Sequence, residues 1–234
     1  MRKSLIVIAA LATASSAASA ADLSMPFKAP PAPAAAFSWT GCYLGGQVGI
    51  GSETDGFTSL AGGLGLGSGN GANGYGAVAG GQIGCNYQTG ILVVGIEGDG
   101  LWSGISNKDV VSAGLTEELE TKNKWEADIA GRVGVAFDRL LVYGKGGVAW
   151  GGFGFSGSAA GAAISGTATL PGALFGVGLE YAFAPKWSAK IEYNYIAYAQ
   201  QPVTFTGTGL AGLSAFSVGA DEQLVKVGLN YKLF

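Results

Sequence analysis

Leu224-Val225-Lys226-Val227-Gly228-Leu229-Asn230-Tyr231-Lys232-Leu233-Phe234 ends the chain. In an extended strand successive side chains point to opposite sides, so Val225, Val227, Leu229 and Tyr231 share one face, and Lys226, Gly228, Asn230 and Lys232 share the other. One face is apolar and the other polar. A chain that stops on such a strand leaves an open hydrogen-bonding edge that another element must cover. The first strand is the candidate, and that pairing would close a barrel.

The same period of two recurs upstream. Segment 40–50 sets Cys42, Leu44, Val48 and Ile50 against Tyr43, Gly45, Gln47 and Gly49, and segment 77–87 sets Ala79, Ile83, Cys85 and Tyr87 against Gln82, Gly84 and Asn86. Leu92, Val94, Ile96 and Trp102 then face away from Glu97 and Asp99. In the fourth segment Trp125, Ala127, Ile129, Val133, Val135 and Phe137 oppose Lys124, Glu126, Asp128 and Arg132. Leu140, Val142, Val148 and Trp150 oppose Tyr143, Lys145 and Ala149 in the fifth. Phe175, Val177, Leu179, Tyr181 and Phe183 oppose Gly176, Gly178 and Glu180 in the sixth. Trp187, Ala189, Ile191, Tyr193 and Tyr195 oppose Ser188, Lys190, Glu192 and Asn194 in the seventh. With the closing strand this makes eight, an even number, as single-chain bacterial membrane barrels require.

The connections alternate too. Gln88-Thr89-Gly90, Asp138-Arg139 and Ala184-Pro185-Lys186 are short turns, whereas 52–76, 103–123, 151–171 and 199–222 are long and rich in Gly, Ser and Asn. Strict short-and-long alternation predicts short turns and both chain ends on the periplasmic side of a membrane, and long loops outside. The fold class is therefore all-β, an eight-stranded antiparallel up-and-down transmembrane β-barrel over residues 39–234.

Composition agrees. The chain has 42 Gly, 48% hydrophobic and only 12% charged residues, against roughly 25% charged in soluble domains. Its apolar residues do not gather into runs, because lipid-facing and lumen-facing positions alternate. A soluble carrier barrel of eight strands would carry its apolar face inside. Here the charged face of the fourth segment is sheltered only if it points inward, so the apolar face meets lipid.

Residues 1–20 read as a signal peptide, with a basic Arg2-Lys3 start, an apolar stretch from Leu5 to Leu11 and a small-residue cleavage site at Ala18-Ser19-Ala20. Export through the Sec pathway is expected. Cleavage there removes two of the 13 basic residues and none of the 16 acidic ones, so the net charge goes from −3 to −5. Nucleic acid is an unsuitable partner for that charge. Residues 21–38, with Pro26, Pro30, Pro31 and Pro33, form an extended lead on the periplasmic side.

The chain has no histidine, which removes His-dependent triads, His metal ligands and His proton shuttles. Glu97 and Asp99 lie two apart on one face, the ordinary spacing of neighbouring lumen residues, and no nucleophile accompanies them. No catalytic, cofactor or metal site is expected. Gly63 to Gly69 lacks the lysine and helix context of a phosphate loop and reads as a loop.

The chemistry of the chain is concentrated in its inward charges. Glu97, Asp99, Glu126, Asp128, Glu180 and Glu192 should share the lumen with Lys124, Arg132, Lys145, Lys190 and Lys226, with signs nearly cancelling. An isolated buried charge is very costly, so these groups must pair or meet water. They make either a polar plug that fixes register or a narrow path for ions or small solutes. An interior of eight strands is just wide enough to be filled by side chains, which favours the plug. Aromatic residues near strand ends predict two interfacial girdles, Trp39, Tyr87, Phe137, Phe183, Trp187 and Tyr231 on the periplasmic side and Trp102, Trp125 and Trp150 on the outer side.

Two cysteines allow one internal disulfide. If the hydrophobic pattern sets the first hairpin so that Cys42 faces Cys85, Leu44 faces Ile83 and Val48 faces Ala79, a cross-strand disulfide is within reach in the oxidising periplasm. Two small apolar residues facing lipid are the alternative, and the sequence leaves both open.

Residues 37–46, Phe-Ser-Trp-Thr-Gly-Cys-Tyr-Leu-Gly-Gly, resemble the start of the small OmpA-type outer-membrane barrels of alphaproteobacteria, the porin-family or outer-membrane immunogenic proteins. The resemblance continues through Ile96-Glu97-Gly98-Asp99, Gly131-Arg132-Val133-Gly134, Lys145-Gly146-Gly147-Val148-Ala149-Trp150, Gly178-Leu179-Glu180-Tyr181-Ala182-Phe183, Trp187-Ser188-Ala189-Lys190-Ile191-Glu192-Tyr193 and Val227-Gly228-Leu229-Asn230-Tyr231. It implies a Gram-negative outer-membrane location among lipid and lipopolysaccharide. It also implies insertion by the barrel-assembly machinery through a signal on the last strand, Val225, Val227, Leu229, Tyr231, Leu233 and Phe234. Cys42 and Cys85 stand where relatives commonly carry aromatics, and Phe234 falls one step past the usual phase of the terminal aromatic. The resemblance implies much less about activity, because fold does not fix function; the expected function is that of a structural, surface-exposed envelope barrel without enzymatic activity, with a small passive pore or a surface-loop binder as alternatives.

Overall fold

The computed structural model describes residues 37–59, 70–112, 116–159, 162–204, 206–207 and 214–234. The signal peptide, most of the lead and the 63–69 loop lie outside the described residues. Eight strands form one antiparallel sheet. They run Gly41–Ser59, Asn70–Thr89, Leu92–Ser103 resumed as Ser106–Ser112, Thr116–Phe137, Leu140–Ala159, Ala162–Ala184, Trp187–Tyr198 resumed as Gln201–Thr204 and Thr206–Gly207, and Ser214–Lys232. Each pairs with its chain neighbours, and the first pairs with the eighth from Tyr43↔Lys232 to Ser59↔Phe216. The sheet thus has no free edge between the girdles, whereas the outer extensions of the second and third strands pair with each other, among the described residues, only at Tyr75↔Ser106.

The first hairpin holds the register that the hydrophobic pattern suggested, with Cys42 opposite Cys85, Leu44 opposite Ile83 and Val48 opposite Ala79. A slip of one residue would turn the apolar set of a strand to the wrong face, and this fixes the pairing. The short turns occur where expected. One has Gly90 at φ 59° and another has Asp138 at φ 53°, a left-handed conformation that Gly and Asp tolerate best.

The outer connections differ from expectation. Residues 52–59 and 70–76 belong to the first two strands, and residues 151–159 and 162–171 belong to the fifth and sixth, paired without a break from Gly151↔Leu170 to Ala159↔Ala162. Gly-rich composition suggested loop there, but a paired neighbour satisfies the backbone of a glycine as well as that of any residue. The fifth strand continues nine residues beyond Trp150, which at the usual rise and tilt carries it about 20 Å past the outer girdle.

The exterior between the girdles is apolar. Leu44, Val48, Ile83, Ile96, Ile129, Val133, Val177, Leu179, Val227 and Leu229 are all exposed. On the third strand this band runs from Leu92 to Trp102, the length a tilted strand needs to cross a bilayer. Tyr87, Phe137, Phe183, Trp187, Trp102, Trp125 and Trp150 stand on the exterior as the girdles require. Trp39 does not. It is buried and turns into the periplasmic mouth of the barrel.

Candidate functional site

Among the described residues it is the lumen that gathers reactive groups, and three layers fill it. At the periplasmic mouth Trp39 packs with Val93, Ala136, Leu141, Tyr143 and Ala182, with Phe37 against the cluster. Trp39 enters because its Nε1 donates to the Asp138 carbonyl at 3.0 Å and its amide donates to Gln88 Oε1 at 2.7 Å, while Phe37 N donates to Asp138 Oδ1 at 3.1 Å. The tight turn at Asp138 therefore holds the end of the lead across the opening.

At the outer end Val78, Leu101, Ile105, Phe153, Phe155, Leu170, Leu174, Ile196, Tyr198 and Leu224 form an apolar layer across the lumen. Several lie in segments that composition marked as loop. The alternation of Phe153 and Phe155 among glycines was the signal for it, since both fall on the inward phase of the fifth strand.

Between these layers lies the polar network. Arg132 bridges Glu97 at 3.1 Å and Glu180 at 2.8 Å, with its guanidinium 3.9 Å from the centroid of the Tyr143 ring. Tyr43 Oη donates to Glu97 at 2.6 Å and Tyr143 Oη donates to Glu192 at 2.7 Å. Lys145 contacts Asp99 and Glu192, both at 2.9 Å. Lys190 reaches Glu97 at 3.2 Å and Glu192 at 3.3 Å, and Lys226 reaches Asp99 at 3.1 Å and Glu192 at 3.3 Å. Glu97, Asp99 and Glu192 converge closely enough to suggest a metal site, but three lysine ammonium groups already stand against them. Large and small residues alternate across the lumen. A side chain at Gly84 would meet the Tyr43 ring, and one at Gly178 would meet the Tyr143 ring. Those glycines give the two tyrosines room to reach their carboxylates.

Two sequence expectations are corrected here. Lys124 is exposed, because the ladder shifts between Asn123 and Trp125 and a bulge turns Lys124 and Trp125 both outward. The lumen charges also do not cancel. Glu53 and Glu222, assigned to outer loops by their Gly- and Ser-rich surroundings, lie on strand extensions and are fully buried. Among the described residues the buried acids are Glu53, Glu97, Asp99, Glu126, Asp128, Glu180, Glu192 and Glu222, against Arg132, Lys145, Lys190 and Lys226.

The remaining sequence-derived sites fall as follows. Cys42 and Cys85 are joined by a disulfide on the outward face. Val225, Val227, Leu229 and Leu233 point outward on the last strand, and Tyr231 packs edge-on against Trp187 at 5.0 Å. Phe234 lies past the last ladder pair, exposed at the rim, with Leu233 N still donating to the Cys42 carbonyl at 2.9 Å.

Residues 6–232 match the family model of the outer membrane protein β-barrel domain. A 31 kDa outer-membrane immunogenic protein of Brucella melitensis is 32% identical over 249 residues, covering 98% of this chain and 99% of its own. A 22 kDa outer membrane protein of Rhizobium leguminosarum is 31% identical over 198 residues, covering 83% of this chain and 78% of its own. Among solved structures, the outer membrane protein OprG from Pseudomonas aeruginosa superposes with a TM-score of 0.51 at 10% identity, over 84% of this chain and 98% of that one. That likeness is one of fold.

Proposed function

The chain belongs to the outer membrane protein β-barrel family and resides in the outer membrane, and from that premise we propose that it is a closed, non-enzymatic envelope barrel that acts through its surface. The observation that carries this reading is the filled lumen. An ion-paired layer lies between one apolar layer under the outer opening and a second, built around Trp39, at the periplasmic mouth. Hydrated ions cross apolar constrictions poorly, because dewetting there removes their water shell.

Surface exposure is supported by the paired extensions that rise past the outer girdle and by the name of the Brucella relative, an outer-membrane immunogenic protein. The extensions make a stiff collar that would present the outer connections to lipopolysaccharide and to surface partners. On the periplasmic side, the outward face of Val225, Val227, Leu229 and Tyr231, ending in Leu233 and Phe234, is the strand we assign to recognition by the barrel-assembly machinery. The non-enzymatic reading is supported by the engagement of the lysines and tyrosines beside Glu97 and Asp99 in the ion-paired network, sealed between the two apolar layers. Planar-bilayer recording of the refolded mature protein tests the closed reading. It should give no reproducible open levels, and discrete, repeating conductance steps would replace it with the passive-pore alternative.

A further inference from the structure

We propose that the outer part of the lumen holds a hydrated, oxygen-seeking divalent cation of the magnesium or calcium class, seated between Glu126 and Glu222 at the level of Leu101 and Ile196. The four basic groups of the lumen are taken up by Glu97, Asp99, Glu180 and Glu192, which make all their close ion pairs. Glu126 receives none of them. Both of its carboxylate oxygens are buried without a hydrogen-bond donor. Asp128, the next inward residue of the same strand, also lacks a donor on both oxygens, with Lys145 Nζ standing 3.9 Å away.

Glu222 meets this group from the opposite wall. Asn123 Nδ2, on the fourth strand, donates to Glu222 Oε2, on the eighth, at 3.1 Å, and these two strands are diametrically opposed in a ring of eight. The bond therefore crosses the lumen and brings Glu222 to the part of the fourth strand that carries Glu126, three residues on from Asn123. Tyr198 Oη donates to the same Glu222 oxygen at 3.1 Å. What remains without a donor is Glu222 Oε1 and Asn123 Oδ1.

Every unfilled position in this group is an oxygen acceptor, two of the groups are carboxylates from opposite walls, and nitrogen or sulfur ligands are lacking. Water alone would supply donors but leave the negative charge uncompensated in a low-dielectric interior. Protons would remove the charge, yet each adds a single donor to a set of six open oxygens. A hard divalent cation that keeps several waters while bound by one or two carboxylates supplies both charge and donors. With Ile105, Phe153 and Phe155 farther out in the lumen, such an ion would enter during folding and exchange slowly.

The test refolds the mature protein with magnesium or calcium chloride, or with chelator, then desalts it and measures metal by mass spectrometry. Folded protein is identified by its heat-modifiable gel mobility. About one divalent ion per folded chain is expected, falling at least tenfold in Glu126→Gln, and chelator-refolded protein should unfold at lower temperature. Terbium present during refolding provides a readout that needs no variant, since an ion at Glu222 lies close enough to Tyr198 for sensitised emission, which excess magnesium in the refolding mixture should suppress. Folded wild type without stoichiometric metal or terbium emission would overturn the proposal. So would equal metal retention by Glu126→Gln, or a carboxylic-acid carbonyl band in the infrared spectrum of wild type that the variant lacks.

Discussion

Arg132 shows how one residue ties a barrel wall to its centre. Its two guanidinium nitrogens hold Glu97 and Glu180, its plane lies on the Tyr143 ring, and it donates to Tyr43 Oη, itself bonded to Glu97. Removing it leaves two buried carboxylates without their fork-shaped partner. Arg132→Met should therefore cost about 3–5 kcal/mol, read as a lower urea midpoint for the refolded protein in detergent. Lys124→Met, outside the barrel, should stay within about 0.5 kcal/mol of wild type. Equal losses in the two variants would show that Lys124 contributes to the lumen after all. The contrast also marks where residue-level reading of the sequence ends. Alternation placed Arg132 and Lys124 on one face, and for Arg132 this holds. The bulge after Asn123 inserts one residue into the ladder and reverses Lys124, and nothing in the local composition announces it.

At the scale of elements, the membrane-crossing part of each strand was legible because one face must meet lipid, which ties register to hydrophobic pattern. Cys42 and Cys85 fall opposite each other for that reason alone. Their disulfide staples the first strand, which also forms the closing seam with the eighth, to the second. Unreduced, denatured protein should show no reactive thiol, and reduced protein should show two. The double Cys42→Ser and Cys85→Ser variant should lose about 2–4 kcal/mol, as expected for freeing a loop of this length. Two thiols in unreduced protein would dispose of the staple. Beyond the outer girdle the pattern lost its meaning. The outward face of the extensions no longer meets lipid, so alternation there carries no lipid signal, and Glu53, Glu222, Phe153 and Phe155, buried on the inward face, were hidden in sequence that resembles loop.

For the whole molecule the consequence is a lumen stoppered twice, by side chains from different parts of the chain. Trp39 closes the periplasmic mouth from the end of the lead, pinned by hydrogen bonds to Asp138 and Gln88. Phe153, edge-on to Tyr198 at 5.2 Å, belongs to the outer layer. The two layers are separated by the ion-paired network, so opening one should leave the other intact. Trp39→Ala should admit periplasmic water to Arg132 and Tyr143 without creating a path through the barrel. Phe153→Ala should do the same from outside. Each single change removes a large buried side chain and should destabilise the fold by about 3–5 kcal/mol. In planar bilayers each single variant should remain without repeating open levels. Only the double variant should conduct, because both apolar layers are then breached and the charged one is the remaining barrier, and its surplus of acids over bases should make it cation-selective. Conduction by either single variant would mean that one layer carries the whole barrier. A silent but folded double variant would mean that the ion-paired network closes the lumen by itself.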